Sequence, residues 1–399
     1  MKYINDIDIR NKRVLIRVDF NVPLENQSIK DFFRLQAADE TINYCLSQNC
    51  SIVIMTHLGR PDGKYSEELS VYPIVEYLEE KYNTFVHFSE DCISDKSIKT
   101  SSEMIPKEIH LLENLRFHSE ETQNDVNFAK KLSCHADIYI NDAFGTAHRS
   151  HASNSSIITF FDIYALGCLF KRELRYLKSD DKLNKEGSTL IVGGAKVSSK
   201  MKMLTNFLDK SDNILIGGGM AYTFLKAKGH NIGKSLCEDD MIPFANTLLE
   251  MAESVNTNII LPVDNVCSKE INDSEDFRIC YIDDINSKEI GLDIGPETCM
   301  IFENIISKSD KVLWNGPLGA FEFLNFSTGT QFIASHLKRI TESKNISTII
   351  GGGDTVSAIQ TLGNLNGYTH ISTGGGAALK LLSGEKLNVL KEMVKHEQY

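Results

Sequence analysis

Three short apolar runs in the second half of the chain each end in three consecutive glycines. These runs are ILIGGGMA at 214 to 221, TIIGGGDT at 348 to 355 and HISTGGGA at 370 to 377. A strand that passes through glycines into helix-forming residues lets bare backbone N–H groups approach an anion, with the positive end of a helix dipole behind them. One such run is explained equally well as a tight turn between strand and helix. Three of them in one half of the chain favour phosphate binding.

The same alternation of strand, turn and helix predicts the fold class. In the first half, strand-like runs followed by polar turns lie at 14–20, 51–57, 84–88, 109–112 and 137–141. In the second half they lie at 188–194, 213–219, 258–263, 311–316, 347–353 and 369–376. Repeated units of this kind form a parallel sheet with ligands at the carboxyl ends of its strands. We therefore predict an α/β fold.

The length of the chain predicts two domains. A chain of 399 residues exceeds one ordinary hydrophobic core, and the strand pattern occurs twice along it. The amphipathic segment 165–187 between the halves is interpreted as a connecting helix. The helical segment 384–399 could cap either domain.

Composition and charge restrict the partners of the protein. The formal net charge of −12 argues against nucleic acid or an anionic membrane surface as the main partner, so any anion site must be local. The nine cysteines include no Cys-x-x-Cys pair, which argues against a disulfide framework or a zinc module and favours reduced thiols. The N-terminal segment lacks an apolar signal core, and the charge-poor stretch 152–170 is too short and too polar to span a bilayer. We expect a cytoplasmic globular protein.

Basic side chains recur where the predicted strands of the first half end. The residues at these turns, and Arg34 at the start of a helix, are Arg17, Asp19, Arg34, His57, Arg60, Arg116 and Arg149. Because strand ends converge on one edge of a doubly wound sheet, these side chains would form a basic cluster. A guanidinium fork binds phosphate or carboxylate with two hydrogen bonds, so a small, highly anionic substrate is expected. For any single arginine, an ordinary surface position is the alternative.

The second half carries a different set of polar residues. Lys196 and Lys200 in VGGAKVSSK are four residues apart, which predicts that both lie on one helical face and meet a polyphosphate. Neither the P-loop pattern nor the dinucleotide fingerprint G-x-G-x-x-G fits this half. Asp354 follows a glycine run and could bind magnesium or cap a helix. Glu322 in WNGPLGAFE could bind ribose hydroxyls or be solvated.

Taken together and in order, these motifs resemble those of the phosphoglycerate kinase family. The matching strings, between residues 17 and 379, are RVDFNVP, HLGRP, LLENLRF, YINDAFGTAHRSH, VGGAKVSSK, IGGGMAYTFLKAKG, GLDIGPET, LWNGPLGAFE, IGGGDT and STGGGAAL. The resemblance implies two Rossmann-like, doubly wound parallel-sheet domains joined by a helix and a hinge. It places a 3-phosphoglycerate-binding domain at 1–170, with 378–399 packing back on it. It places a nucleotide-binding domain, which includes the connecting helix, at 171–377.

The resemblance also implies the ligands and the residues that bind them. The first domain would bind 3-phosphoglycerate or 1,3-bisphosphoglycerate through Asp19, Asn21, Arg34, His57, Arg60, Arg116 and Arg149. The second would bind ADP or ATP through Lys196, Lys200, Gly219, Gly291, Asn315, Glu322, Gly352, Gly353, Asp354 and Thr355, with Asp354 as the ligand of Mg²⁺. The catalytic set implied is Arg34, Lys196, Lys200, Gly374, Gly375 and Gly376. The expected state is a monomer.

The chemistry expected from this resemblance is phosphoryl transfer to a carboxylate. A carboxylate nucleophile is ionised at neutral pH, so no general base is needed. The reaction instead needs in-line positioning and positive charge around the phosphoryl group, and the two domains must close to exclude water. Two alternatives stay open at this point. A Rossmann-type dehydrogenase would share the fold but lacks its fingerprint here, and an inactive nucleotide-binding homologue would share both fold and ligands.

Overall fold

The computed structural model describes residues 1–177, 185–272, 276–344, 346–361 and 365–397. The chain divides into two compact units. The first unit is Met1–Arg175 together with Lys386–Tyr399, and the second unit is Tyr176–Glu385. The chain therefore leaves the first unit once and returns to it at its C-terminal end.

The first unit is built on a parallel sheet. Its strands are β1 (Arg13–Arg17), β2 (Leu24–Glu25), β3 (Ser28–Ile29), β4 (Ser51–Met55), β5 (Val86–Ser89), β6 (Ile109–Leu112), β7 (Ile138–Asn141) and β8 (Tyr164–Leu166). Its helices before the crossing to the second unit are α1 (Phe33–Ala37), α2 (Asp39–Ser47), α3 (Ile74–Tyr82), α4 (Asp95–Glu103), α5 (Ser119–Thr122), α6 (Val126–Ser133) and α7 (Cys168–Leu177), the last of which runs across the division.

Six of these strands form one sheet in the order β5-β6-β4-β1-β7-β8, and the described pairs in it are parallel. The central strands β1 and β4 are apolar on both faces, and residues such as Val14, Ile16 and Ile52 are fully buried. A strand with two buried faces is typical of a sheet covered by helices on both sides. Because β1 lies between β4 and β7, the chain adds strands first on one side of β1 and then on the other. The carboxyl ends of β1, β4, β6 and β7 share one edge.

The second unit contains a parallel and an antiparallel sheet. Its strands are β9 (Ser188–Val192), β10 (Asn213–Ile216), β11 (Asn258–Ile260), β12 (Asp264–Ser268), β13 (Phe277–Tyr281), β14 (Ile290–Ile294), β15 (Lys311–Asn315), β16 (Ser347–Gly351) and β17 (His370–Ile371). Its helices are α8 (Met201–Phe207), α9 (Ala221–Ala227), α10 (Ile242–Ser254), α11 (Pro296–Ile306), α12 (Thr328–Lys344), α13 (Gly353–Gln360) and α14 (Gly376–Leu382). The terminal helix α15 (Asn388–Glu397) belongs to the first unit.

The parallel sheet of the second unit has the order β11-β10-β9-β15-β16-β17, and β13-β12-β14 form the antiparallel one. Each triple glycine lies between a strand of the parallel sheet and a helix: β10 precedes α9, β16 precedes α13 and β17 precedes α14. The predicted strand-glycine-helix units are confirmed, and their glycines lie at one sheet edge. None of the helices in the described residues is long and apolar enough to cross a membrane.

Every strand-like run predicted from the sequence contains a strand, and the α/β class is confirmed. The antiparallel sheet was not predicted, since β12 reads Asp-Asn-Val-Cys-Ser and lacks the composition of a strand. Asp264 and Ser268 have hydrogen-bond partners outside β12, whereas Asn265 Nδ2 is buried without one among the described residues. Asp264 Oδ1 and Oδ2 accept hydrogen bonds from Thr298 N and Glu297 N, the first donors of α11.

The connecting segment differs from its prediction. A helix was expected over 165–187, but residues up to Leu166 form the edge strand β8 and the helix α7 begins at Cys168. Cys168 N donates to Thr41 Oγ1 and Phe170 N to Asp142 Oδ1, so side chains of neighbouring elements cap this helix start. The described part of α7 ends at Leu177, and the predicted positions 178–184 lie outside the described residues.

Candidate functional site

A buried acid and a partly exposed arginine meet at the carboxyl edge of the first sheet. Asp19 follows β1, and its Oδ2 accepts a hydrogen bond from Arg34 Nη1 at 2.9 Å. Its Oδ1 is buried, has no hydrogen-bond partner among the described residues, and lies 3.8 Å from His57 Nδ1. Asp19 therefore orients Arg34, whereas it makes no hydrogen bond to His57.

Arg17 is fully buried beneath this pair, and its guanidinium contacts neighbouring side chains. Its Nε donates to Ser153 Oγ at 2.8 Å, and Ser153 in turn donates to the buried carboxylate of Glu121 at 2.6 Å. Its Nη2 lies 3.2 Å from His57 Nδ1. Because a guanidinium can only donate, His57 Nδ1 is the acceptor and its proton is on Nε2. Burial, followed by the charges of Arg17 and Arg116, lowers the pKa of His57 well below its usual value, so this imidazole is neutral.

Arg116 carries the strongest signal for an anion in the first unit. Its Nη1 donates to Gly59 O at 2.6 Å, whereas its Nε and Nη2 are buried and have no hydrogen-bond partner among the described residues. Burial, followed by Arg149 and Arg17, lowers the pKa of Arg116 to about 10. Buried cationic donors without acceptors are costly, and a bound phosphate or carboxylate would satisfy them.

The remaining predicted residues of the first unit occupy the same edge in different ways. Asn21 Oδ1 accepts from Gly59 N at 2.9 Å, so Asn21 holds the turn whose carbonyl receives Arg116. Arg60, which follows Gly59 in the chain, is exposed, and Arg149 is partly exposed. The pKa shifts of His57 show that Arg34, Arg116 and Arg149 all act on it electrostatically. Four of the predicted cationic residues thus lie around His57, namely Arg17, Arg34, Arg116 and Arg149.

Sequence reasoning missed His151, which joins this cluster. Burial, followed by the charges of Arg116 and Arg17, lowers the pKa of His151 to about 3. Its Nδ1 lies 3.7 Å from Glu121 Oε1. The available signal was its place two residues after Arg149 in the string AHRSH.

The first triple glycine of the second unit has a packing role. A Cβ on Gly218, whose φ is +66°, would lie 2.7 Å from Gly194 N and 2.8 Å from Pro317 O. A Cβ on Gly193 would lie 2.1 Å from Pro317 O. The turns after β9, β10 and β15 therefore pack backbone against backbone, which only glycine permits. The predicted nucleotide residue Gly219 lies beside this contact, where a Cβ would meet Leu236 at 3.0 Å.

The prediction that Lys196 and Lys200 share a helical face is wrong. Lys196 lies outside any helix or strand, residues 197–200 form a turn, and α8 begins only at Met201. Ser198 donates from its N–H and its hydroxyl to Glu238, at 3.0 and 2.6 Å, which competes with a helical hydrogen-bond pattern. Lys196 is exposed, whereas Lys200 is partly buried.

Lys200 lies in a polar corner at the end of β15. Its Nζ donates a hydrogen bond to Asn315 Oδ1, and Asn315 Nδ2 is buried without a hydrogen-bond partner in the described parts of the chain. Thr355 Oγ1 accepts from Gly316 N at 2.6 Å. Burial lowers the pKa of Lys200 to about 8, and the charge of Asp354 acts in the opposite direction. The corner offers an ammonium and an unused amide donor to an anion.

Asp354 is the second residue of α13, and the N-cap position is taken by Gly352 with a φ of +94°. The alternative that Asp354 is the N-cap is therefore wrong. Its carboxylate is exposed and accepts no hydrogen bond from the described residues. Mg²⁺ is held in phosphate sites by one or two carboxylates together with phosphate oxygens, and Asp354 fits that donor set.

The other predicted residues are placed as follows. Gly291 lies within β14, where a Cβ would be 1.9 Å from Tyr222 Oη, and Glu322 is exposed. Gly374 N donates to Ser372 Oγ at 3.0 Å, so this N–H already has a partner. Gly375 has a φ of +46° and precedes Gly376, the first residue of α14. Gly353 opens α13, and a Cβ there would meet nothing within 4 Å.

Comparison with known proteins relates the whole chain to one family. The sequence model of the family described as Phosphoglycerate kinase matches residues 4–385. A phosphoglycerate kinase of Finegoldia magna is 45% identical over 388 residues, covering 97% of this chain and 97% of the relative. One of Prochlorococcus marinus is 42% identical over 380 residues, covering 95% and 94%.

Solved structures agree with the sequence relatives. The structure of phosphoglycerate kinase from Coxiella burnetii has a TM-score of 0.86 at 33% identity and covers 100% of this chain and 99% of that one. The phosphoglycerate kinase from Pyrococcus horikoshii has a TM-score of 0.84 at 30% identity and covers 100% of both chains. From the motifs, the two units and these similarities, we conclude that the chain belongs to the phosphoglycerate kinase family.

Proposed function

We propose that this protein catalyses reversible, Mg²⁺-dependent phosphoryl transfer between 1,3-bisphosphoglycerate and ADP, which gives 3-phosphoglycerate and ATP. It is then a phosphotransferase with a carboxyl group as acceptor. The observation that carries the proposal is the pair of buried, unpartnered donors on Arg116. They lie in a cluster with Arg34 and Arg149, and a small polyanion is the ligand that such a cluster fits.

The acid binds at the first sheet edge in this proposal. Arg116 and Arg149 bind its phosphate or carboxylate oxygens, and Arg60 adds an exposed cation at the same turn. The neutral His57 donates from Nε2, while Asp19 and Asn21 hold Arg34 and the Gly59 turn. The first unit is thus the 3-phosphoglycerate-binding domain.

The nucleotide binds at the glycine-rich edge of the second unit in this proposal. Its phosphates are bound by Lys196, Lys200 and the Asn315 amide, with Gly352, Gly353 and Thr355 forming the turn beside them. Asp354 would hold Mg²⁺, which neutralises charge on the phosphates when bound. Two further assignments stay predictions. The nucleoside is expected to be bound by Gly219, Gly291 and Glu322, and the transferred phosphoryl group by the N–H groups of Gly374, Gly375 and Gly376.

The chain's own residues supply positioning and charge rather than a base. The attacking carboxylate of 3-phosphoglycerate is ionised without help, and the buried histidines of the cluster are neutral. Arg34 keeps an exposed portion beside Asp19, which leaves part of its guanidinium for the transferring group. Stabilisation of developing phosphoryl charge is the larger catalytic contribution in such reactions. Domain closure, a monomeric state and a cytoplasmic location stay predictions.

Turnover with 3-phosphoglycerate and Mg-ATP, followed in a coupled assay, tests this proposal. We expect ATP-dependent turnover that stops when Mg²⁺ is chelated and returns when it is restored. Nucleotide binding without turnover would instead support an inactive homologue. NAD reduction without ATP would support the dehydrogenase. The family relationship gives no support to that alternative.

A further inference from the structure

A carboxylate, a thiol and an imidazole meet in the first unit, and none of them belongs to the proposed substrate set. Asp91, Cys92 and His118 each offer one ligand atom, and these atoms lie within 4.8 Å of one another. We propose that these three residues bind a divalent transition-metal ion of the zinc type. One pair is already close to bonding geometry. His118 Nε2 lies 3.5 Å from Asp91 Oδ1, and tetrahedral zinc places nitrogen and oxygen ligands roughly 3.4 Å apart.

The electrostatic surroundings favour a cation at this cluster. Cys92 is 1% exposed. Asp91 is itself one of the three ligands, and Glu113 lines the same cavity, so two carboxyl groups lie where they would attract a metal ion. A bound ion would in turn stabilise the Cys92 thiolate. A mixed set of thiolate, imidazole and carboxylate suits zinc better than calcium or magnesium.

The backbone around the cluster is held by other contacts. Asp91 Oδ1 accepts from Ile93 N at 2.7 Å, and Cys92 O accepts from His135 Nε2 at 2.9 Å. The His118 ring packs against Phe128 with centroids 5.2 Å apart. Ligands on such a scaffold need little ordering when the ion binds.

There is also room for the ion and a water molecule. A cavity of about 190 Å³ is lined by Asp91, Cys92 and His118 together with Glu113 and Asn114. Three protein ligands then leave a fourth tetrahedral position for water. On binding, the Cys92 S–H bond breaks, a sulfur–metal bond forms, and the proton leaves to the buffer. No oxidant or reductant takes part.

Cobalt titration of the metal-stripped full chain tests the proposal. With Co²⁺ under anaerobic, reducing conditions, we expect near-ultraviolet sulfur-to-cobalt charge-transfer absorption that saturates at one ion per chain and disappears on adding Zn²⁺. Cobalt bound at the proposed magnesium site cannot give this signal, because Asp354 supplies only oxygen. Absence of the absorption in the wild-type protein would overturn the proposal.

Two variants and a control locate the signal. Cys92→Ser should abolish the absorption, and His118→Gln should weaken cobalt binding by at least about tenfold, since even outer contacts of metal ligands contribute that much. Cys134→Ser removes an exposed thiol outside the cluster and should bind cobalt like the wild type. If Cys92→Ser does not fold, His118→Gln still decides, since it keeps the thiol and alters a partly exposed residue. Undiminished binding in His118→Gln, or loss of the signal in Cys134→Ser, would place the ion elsewhere and refute the assignment.

Discussion

Lys200 donates a hydrogen bond to Asn315 Oδ1 and so joins the turn before α8 to the end of β15. The contact leaves Asn315 Nδ2 buried and without a hydrogen-bond partner in the described residues. Lys200 thereby turns the amide so that its donor side is free for a ligand. We therefore expect the ammonium and the amide to bind an anion together.

Nucleotide affinity should fall as pH rises through about 8, because burial lowers the pKa of Lys200 to about 8. The lysine is protonated below that pH and binds phosphate only in that form. Between pH 7 and pH 9 we expect about a tenfold loss of Mg-ADP affinity, measured by isothermal titration calorimetry. Lys200→Arg should abolish this pH dependence, whereas Lys196→Arg, at an exposed site, should keep it. An identical slope in both variants would contradict this assignment.

Substitutions in the two units should separate nucleotide binding from turnover. Lys200→Ala should weaken nucleotide binding by about 10- to 100-fold, the value of one hydrogen bond to a charged group. Arg34→Ala should lower kcat by about 100-fold or more with nucleotide affinity nearly unchanged, because Arg34 lies in the other unit. Equal losses of nucleotide affinity would refute the division of ligands between units. Equilibrium dialysis and the coupled assay give the two quantities.

Asp354→Asn should remove the magnesium dependence of nucleotide binding. In the wild type we expect ADP to bind more tightly with Mg²⁺ than without it. In the variant the two affinities should converge, since the exposed carboxylate beside Lys200 is lost. Glu322→Gln serves as a control at another exposed acid of this unit and should keep the magnesium effect. Fluorescence titration with and without a chelator measures both.

Gly218→Ala should destabilise the second unit much more than Gly229→Ala. Both glycines have positive φ, +66° and +89°, so alanine pays a similar backbone cost of about 1–2 kcal/mol at each. Only at Gly218 would the new Cβ also meet backbone atoms at 2.7 and 2.8 Å, which adds about 1–3 kcal/mol. Trp314, the single tryptophan, is buried in this unit and reports its unfolding by urea. Equal costs at both sites would show that the turns can move apart.

A chain of hydrogen bonds should make the first unit sensitive to acid. His135 Nε2 donates to Cys92 O, so its Nδ1 accepts from Ser101 Oγ at 2.6 Å. Ser101 Oγ then accepts from His110 Nδ1 at 2.8 Å. Burial is the main cause that lowers the pKa of His110 to about 3 and of His135 to about 4. Both are neutral when folded, so stability is present above pH 6.5 and is lost as pH falls towards 4.

The measurement for this prediction is the slope of stability against pH. His135→Gln should lower stability at pH 7 but flatten its decline between pH 6.5 and 4, by up to about 1.4 kcal/mol per pH unit. Burial raises the pKa of Asp142 to about 7, so this carboxyl group makes the folded state more stable as pH falls from 7. Because Asp142 is present in both the wild type and the variant, it does not change the difference between their slopes. Hydrogen exchange in β6 reports the first unit. His396→Gln, in α15 of the same unit, should keep the wild-type slope.

Local pattern was sufficient to predict the parallel strands, the glycine turns and the cationic residues at the strand ends. These features depend on residues near one another in sequence, and the periodicity of apolar side chains is a local property. The pattern was insufficient for β12, whose Asp264 is bonded by α11. It was also insufficient for residues 197–200, whose turn is held by Glu238 through Ser198. In both places a distant partner overrides local preference.

The sequence by itself determined the family, through its ordered motifs, and the α/β class, through the spacing of apolar residues along the chain. It also predicted which residue types face an anion. Tertiary structure alone decided that two donors of Arg116 are buried without acceptors, that Lys200 shares a corner with Asn315, and that Asp91 and Cys92 meet His118. Burial and convergence of this kind depend on which strands become neighbours, and desolvation then changes the chemistry of the groups brought together.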